Sequence, residues 1–61
     1  MKANEWNDKY PVGQPIHLKE DDGSITNTQT RSVAWETGDG NPIIQVDGKR
    51  GGYSLKRITA R

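Results

Sequence analysis

Hydrophobic and polar residues alternate along several short segments of the chain. In QPIHLKE, residues 14–20, Ile16 and Leu18 share one face. The segments PIIQVD, residues 42–47, and GYSLKRITA, residues 52–60, are also rich in aliphatic and aromatic residues. A period of two is typical of strands with one buried face. No window has a convincing helical repeat, and the three prolines would interrupt one. The pattern therefore predicts a fold made of strands.

The longest strand is expected over SITNTQTRSVAW, residues 24–35. Its odd positions have Ile25 at one end, Val33 and Trp35 at the other, and polar residues between them. Its even positions from 24 to 32 are all serine or threonine. We expect the odd positions to face the core, in a strand that leaves the core and re-enters it.

Three Asp-Gly pairs separate the strand candidates and predict tight turns, because glycine supplies a positive φ and aspartate tolerates one. They are Asp22-Gly23, Asp39-Gly40 and Asp47-Gly48. Near the C-terminus, Ile58 is out of phase with Tyr53 and Leu55. This shift indicates a bulge or a short helical turn.

Four or five short strands are too few for a two-layer sandwich of useful size, and a curled sheet buries one face more economically. We therefore expect an all-β fold, a small barrel of about five antiparallel strands. The chain is expected to be one domain, with an N-terminal arm over residues 1–11 and the barrel over residues 12–61. The expected core comprises Val12, Ile16, Leu18, Ile25, Val33, Ile44, Val46, Leu55 and Ile58, with part of Trp35 and Tyr53.

Composition narrows the class of protein. A chain of 61 residues is near the lower limit for unaided folding, and it has no cysteine for disulfides. It has no apolar run of the ~20 residues that span a bilayer, and its N-terminus has no apolar signal segment. We expect a soluble cytoplasmic protein, a monomer or a weak homo-oligomer, without membrane contact.

The whole pattern resembles the small SH3-like barrels, including their KOW- and Tudor-like variants. The stretches that carry the resemblance are YPVGQPIHLKEDDG, the long second strand, and the hairpin PIIQVDGKRGGYSLKRI. The chain is also similar to short bacterial and phage proteins whose function is unknown. It departs from the peptide-binding SH3 domains, since it has no ALYDY-type segment, no tryptophan pair and no late proline–tyrosine motif. The resemblance implies a fold and brings no activity with it.

Catalytic and metal chemistry have little support in the sequence. The only histidine, His17, lies on the polar face of a strand, and the carboxylates of Glu20, Asp21 and Asp22 crowd a turn. One histidine without cysteine does not make a usual zinc site. The aspartate-rich turns lack the spacing of a calcium loop. We expect no enzyme activity, cofactor or metal, unless a homo-oligomer builds a cleft that one chain lacks.

Charge is distributed unevenly. Residues 1–30 have three lysines and five acids, a net charge of −2, whereas residues 31–61 have six bases and three acids, a net charge of +3. A basic surface beside an aromatic ring can bind phosphates and stack a base. Its candidates are Arg31, Lys49, Arg50, Tyr53, Lys56 and Arg57. The alternative is a solvated edge whose charges discourage aggregation.

The aromatic residues suggest a protein interface instead. Strand parity favours burial of Trp35 as a plug at the end of the barrel, the alternative being an exposed interface anchor. Trp6 and Tyr10 lie outside the regular strands, and Trp6 is the better candidate for an outside contact. We therefore expect a binding module that recognises an unknown protein through Trp6, Tyr10 and Trp35, with nucleic acid as the alternative partner.

Overall fold

The protein consists mainly of short strands in two antiparallel sheets, with one short α-helix. This architecture comes from a computed structural model that describes all residues, 1–61. The elements are α1 (Ala3–Lys9), β1 (Pro15–Lys19), β2 (Ile25–Gln29), β3 (Trp35–Glu36), β4 (Pro42–Ile44), β5 (Tyr53–Ser54), a 3-10 turn (Leu55–Arg57) and β6 (Ile58–Ala60). The strand orders are β2-β1-β6 and β3-β4-β5. No helix has the length and apolar character needed to cross a membrane.

The two sheets meet where the chain leaves β2. Thr30 forms an isolated antiparallel bridge with Val46, beyond the end of β4. On either side of this bridge, the Arg31 N–H donates to the Gln45 carbonyl at 3.0 Å and the Asp47 N–H donates to the Gln29 carbonyl at 2.9 Å. The segment after β2 therefore pairs with the segment after β4, and the buried side chains of both sheets belong to one core cluster.

The predicted turns are confirmed. The glycine of each Asp-Gly pair has a positive φ: 88° at Gly23, 84° at Gly40 and 81° at Gly48. The out-of-phase position of Ile58 is explained by the 3-10 turn, which inserts three residues between β5 and β6.

The expected long strand over residues 24–35 is wrong in two respects. It is interrupted between β2 and β3, and its even positions face the core. The hairpin register is the physical reason: Leu18 on the buried face of β1 pairs with Thr26, so Ile25 pairs with Lys19 on the outer face. Choosing the buried face of this strand from hydrophobicity alone fails, because a buried threonine can form hydrogen bonds through its hydroxyl group inside the fold.

Thr30 shows how a polar residue occupies the core. It is 1% exposed, and its Oγ1 accepts hydrogen bonds from the backbone N–H groups of Gly13 and Gln14 at 3.1 and 3.2 Å. The Thr30 N–H in turn donates to the Gln14 carbonyl at 3.0 Å. These bonds fix the approach of the chain to β1.

The N-terminal arm is a helix, so the expectation of a chain without helices is wrong. Ala3 and Trp6 are buried, and Tyr10, just beyond α1, packs its ring 4.4 Å from that of Trp6. A spacing of three and then four residues places these side chains on one face of a helix. The Glu5 side chain accepts the Lys2 N–H at 2.9 Å and so caps the first turn.

Most of the expected core is confirmed. Six predicted core residues are buried: Ile16, Leu18, Ile44, Val46, Leu55 and Ile58. Tyr53 is half-buried, as expected. Four predictions are wrong, since Val12, Ile25, Val33 and Trp35 are exposed. Their places are taken by Ala3, Trp6 and Ala34.

Candidate binding surfaces

Trp35 lies on the outer face of the β3-β4-β5 sheet. Its residue is 39% exposed, so the expectation that it mainly plugs the core is wrong. In β4, the cross-strand partner of Trp35 is Ile43, which is half-buried and pairs in turn with Ser54 of β5. A Cβ atom on Gly52 would lie 2.9 Å from Ile43 Cδ1, so the isoleucine side chain lies directly over that glycine. We call Trp35, Ile43 and Gly52 the Trp35 face.

The backbone before Trp35 is held by the N-terminal helix. The Asn7 side chain forms a two-point contact with Ala34: its Oδ1 accepts the Ala34 N–H at 2.8 Å, and its Nδ2 donates to the Ala34 carbonyl at 2.9 Å. Asn7 follows Trp6, whose burial anchors the helix. An exposed aromatic residue on a fixed backbone loses little conformational freedom when a partner binds it.

Trp6 and Tyr10 do not form an exposed surface. Trp6 is 4% exposed, and Tyr10 is half-buried against its ring. The structure therefore interchanges the two tryptophans relative to the sequence interpretation: Trp6 belongs to the core, and Trp35 faces outward. A role for Trp6 in direct contact with a partner would require the helix to leave the sheet.

The basic residues of the C-terminal half are partly used within the fold. Lys49 Nζ lies 2.9 Å from Glu20 Oε2, and the Thr26 hydroxyl donates to the same carboxylate oxygen at 2.6 Å. The hydrogen bond from Thr26, followed by that from Lys49, lowers the pKa of Glu20 below its usual value. The same contact raises the pKa of Lys49. The Lys49 and Glu20 side chains are 34% and 20% exposed, so solvent still screens the pair and its contribution to stability is small.

Arg57 is used in the same way. Its Nη2 lies 2.8 Å from Asp21 Oδ1, and its Nε donates to the Lys19 carbonyl at 2.9 Å. Its guanidinium carbon also lies 5.7 Å from the ring centroid of Tyr53. A nucleobase that stacked on this side of Tyr53 would have to displace Arg57. The opposite charges of the two halves of the chain thus meet in two ion pairs.

The other basic candidates are less engaged. Arg31 Nη2 donates to the Lys49 carbonyl at 2.9 Å, while Arg50 and Lys56 are exposed and form no ion pair. These three side chains are the part of the predicted nucleic-acid set that no carboxylate neutralises.

The residues considered for catalysis lie apart from any cleft. His17 Nδ1 lies 2.6 Å from Asn27 Oδ1 across the β1-β2 pair, on the polar face where the sequence placed it. The structure has no cavity of ligand size and no group of three or more histidine, aspartate or glutamate residues arranged around a metal position.

Comparisons with known proteins add no family to this description. No protein-family model matches the chain, and neither does any curated protein or solved structure. The candidate surfaces are therefore identified only from the exposure and contacts of the residues in this chain.

Sequence reasoning missed three residues that shape the Trp35 face. No sequence pattern indicates the role of Asn7, because its two hydrogen bonds reach a residue 27 positions away. Ile43 is part of the segment PIIQVD, and its pairing with Trp35 depends on a strand register that the alternation does not specify. Gly52 begins the segment GYSLKRITA, and nothing in that segment indicates that the Ile43 side chain packs over it. The helical spacing of Ala3, Trp6 and Tyr10 was the one pattern in the chain from which the helix could have been inferred.

Proposed function

We propose that the protein is a small non-catalytic binding module of the SH3-like type that binds a protein partner through the Trp35 face. The observation that carries the proposal is that Trp35, 39% exposed, lies on the outer face of a paired strand. Tryptophan is enriched among the residues that dominate the energy of protein interfaces.

The strand connections support the SH3-like assignment. When a sheet curls into a small barrel, the first strand pairs with both the second and the last. Here β1 lies between β2 and β6, and the 3-10 turn over Leu55–Arg57 leads directly into β6. The bridge between Thr30 and Val46 continues β2 toward the second sheet. The helix α1 is an addition to that plan.

Local rigidity supports the choice of Trp35 as the anchor. The Asn7 amide fixes Ala34, and Ile43 packs over Gly52 beside the indole. The face therefore exists before a partner arrives. A pre-organised aromatic anchor with an aliphatic neighbour is the arrangement that gives affinity at low entropic cost.

Nucleic acid is the weaker alternative, because two of its predicted contacts are already ion-paired with carboxylates. Of the five basic candidates, only Arg31, Arg50 and Lys56 lack an ionic partner. Phosphate binding by these side chains would give an affinity that falls steeply with salt, whereas binding through the Trp35 face would not.

The test uses an aromatic photo-crosslinking amino acid at position 35, which keeps a ring where the proposal places the anchor, with the same amino acid at position 25 as the matched control. Ile25 is 56% exposed and lies in the other sheet. The proposal expects a protein that crosslinks from position 35 and not from position 25. That protein is then purified and its affinity measured for the wild type, for Trp35→Ala and for Ile25→Ala.

Loss of a tryptophan anchor costs about 2 kcal/mol, or about a thirty-fold weaker Kd. Trp35→Ala should show this loss, and Ile25→Ala should bind like the wild type. Unchanged binding by Trp35→Ala would contradict the proposal. Oligonucleotide binding that disappears when Arg31 and Arg50 are both changed to Ala would favour the alternative.

A further inference from the structure

The three Asp-Gly turns have the same dipeptide but different hydrogen bonding. An aspartate followed by glycine can rearrange: the glycine amide nitrogen attacks the aspartate Cγ, one water leaves, and a five-membered imide forms. Water then reopens the ring, on one side to aspartate and on the other to isoaspartate, whose main chain runs through Cγ. The reaction needs a carboxyl group and an amide that are both free to approach each other.

In the Asp22-Gly23 turn, the Asp22 carboxylate and the Gly23 N–H both form hydrogen bonds. Asp22 Oδ1 accepts the Ser24 N–H at 2.9 Å and the Ser24 hydroxyl at 2.6 Å. The Gly23 N–H donates to the Glu20 carbonyl at 3.0 Å. The bonds from Ser24 also lower the pKa of Asp22, which reduces the protonated fraction that loses water most readily.

The Asp39-Gly40 turn is held in the same way. The two carboxylate oxygens of Asp39 accept the Thr37 hydroxyl and, at 2.9 Å, Asn41 Nδ2. The Gly40 N–H donates to the Thr37 carbonyl at 2.8 Å. In this turn, too, the carboxylate and the amide each have a partner that the reaction would have to displace.

The Asp47-Gly48 turn differs. Neither the Asp47 carboxylate nor the Gly48 N–H takes part in a hydrogen bond or an ion pair, and both residues are exposed. The turn is closed by the Lys49 N–H, which donates to the Val46 carbonyl at 3.4 Å. This is the longest of the hydrogen bonds that close the three turns.

We propose that Asp47 is a site of spontaneous isoaspartate formation in the folded protein, whereas Asp22 and Asp39 are protected by their turns. Releasing one ordinary hydrogen bond lowers a population about five-fold. Each protected turn must release at least two such bonds and the Asp47 turn only the one from Thr28, so Asp47 should react roughly five-fold faster. The product adds one main-chain carbon to the turn that positions Lys49 against Glu20.

One contact slows the reaction at Asp47. The Thr28 hydroxyl donates to the Asp47 carbonyl at 3.0 Å and so restrains the rotation that brings Gly48 toward the side chain. Thr28→Val removes this restraint and should increase the rate at Asp47 about five-fold. The matched control is Thr59→Val, which changes an exposed threonine of β6.

The experiment incubates the folded protein at neutral pH, below its unfolding transition, in heavy-oxygen water. Each cycle of ring closure and hydrolysis incorporates one labelled oxygen, and peptide mass spectrometry with electron-transfer fragmentation assigns it to a residue. The expected result is labelled isoaspartate at position 47 well in excess of positions 22 and 39. In urea the three positions should react at similar rates, since the protecting bonds are gone.

Equal rates at the three positions in the folded protein would overturn the proposal, as would faster reaction at Asp22 or Asp39. Absence of isoaspartate at position 47, when the urea sample forms it, would also overturn it. Asp47→Glu serves as the assignment control, because the corresponding six-membered imide forms poorly, and it should remove the signal at this position alone.

Discussion

The clearest prediction concerns the two tryptophans, because their burial is opposite. Trp6 is 4% exposed and Trp35 is 39% exposed. Trp6→Ala removes a core side chain and should destabilise the fold by about 3–5 kcal/mol. Trp35→Ala removes an outer cross-strand neighbour of Ile43, and such pairs contribute about 0.2–1 kcal/mol. The two substitutions should therefore differ several-fold in their effect on the free energy of unfolding.

The size of the protein makes the difference easy to see. At roughly 0.05–0.15 kcal/mol per residue, a domain of 61 residues has a free energy of unfolding of about 3–9 kcal/mol. Trp6→Ala removes much or all of this free energy of unfolding and should leave a large unfolded fraction at room temperature. Trp35→Ala should remain folded, with a melting temperature lowered by at most about 8 °C.

Urea unfolding followed by far-ultraviolet circular dichroism measures both effects without depending on tryptophan emission. Trp6→Phe is the milder companion variant, since it keeps an aromatic ring in the core and so preserves a folded baseline. A Trp35→Ala variant that loses as much stability as Trp6→Ala would refute the assignment of the two rings. So would a Trp6→Ala variant that unfolds like the wild type.

Three further predictions test the contacts that shape the fold. Thr30→Val should lose about 1 kcal/mol in urea unfolding, because its hydroxyl accepts two backbone N–H groups, while Thr30→Ser should keep most of that stability. Asn7→Ala should lose about 1–2 kcal/mol with the two bonds to Ala34, and Asn7→Asp should lose more because a carboxylate then faces the Ala34 carbonyl. Since the pKa of Glu20 is lowered from 4.5, its stabilising contribution is present above that value and lost as pH falls through the folded pKa, so Glu20→Gln should unfold with a shallower pH dependence in that acidic range.

The sequence predicted the strands with strong alternation and the turns with strong chemistry. Ile16 and Leu18 alternate with polar residues and are fully buried, and the glycines of all three Asp-Gly pairs adopt a positive φ. Both signals are local, since a strand face and a turn are decided by neighbouring residues.

The errors came from contacts that are distant in sequence. The β1-β2 register, set by the turn at Gly23, turned Ile25 outward and Thr30 inward. The helix at residues 3–9 forms where one buried tryptophan can dock against the sheet, and its sequence is too short to be stable alone. Both errors changed the predicted binding surface. The wrong strand face placed Trp35 in the core, and the unrecognised helix left Trp6 outside the core.

The exposure of the two tryptophans can be measured with a nitrogen–proton NMR spectrum of their indole N–H groups in the presence of a soluble paramagnetic agent. Assignment comes from Trp35→Phe, which should lack one of the two signals. We expect the Trp35 signal to broaden strongly while the Trp6 signal is protected, and a partner captured from position 35 to shield Trp35. Equal broadening of both signals, or broadening of Trp6 alone, would contradict this expectation, as would a bound partner that leaves Trp35 fully accessible.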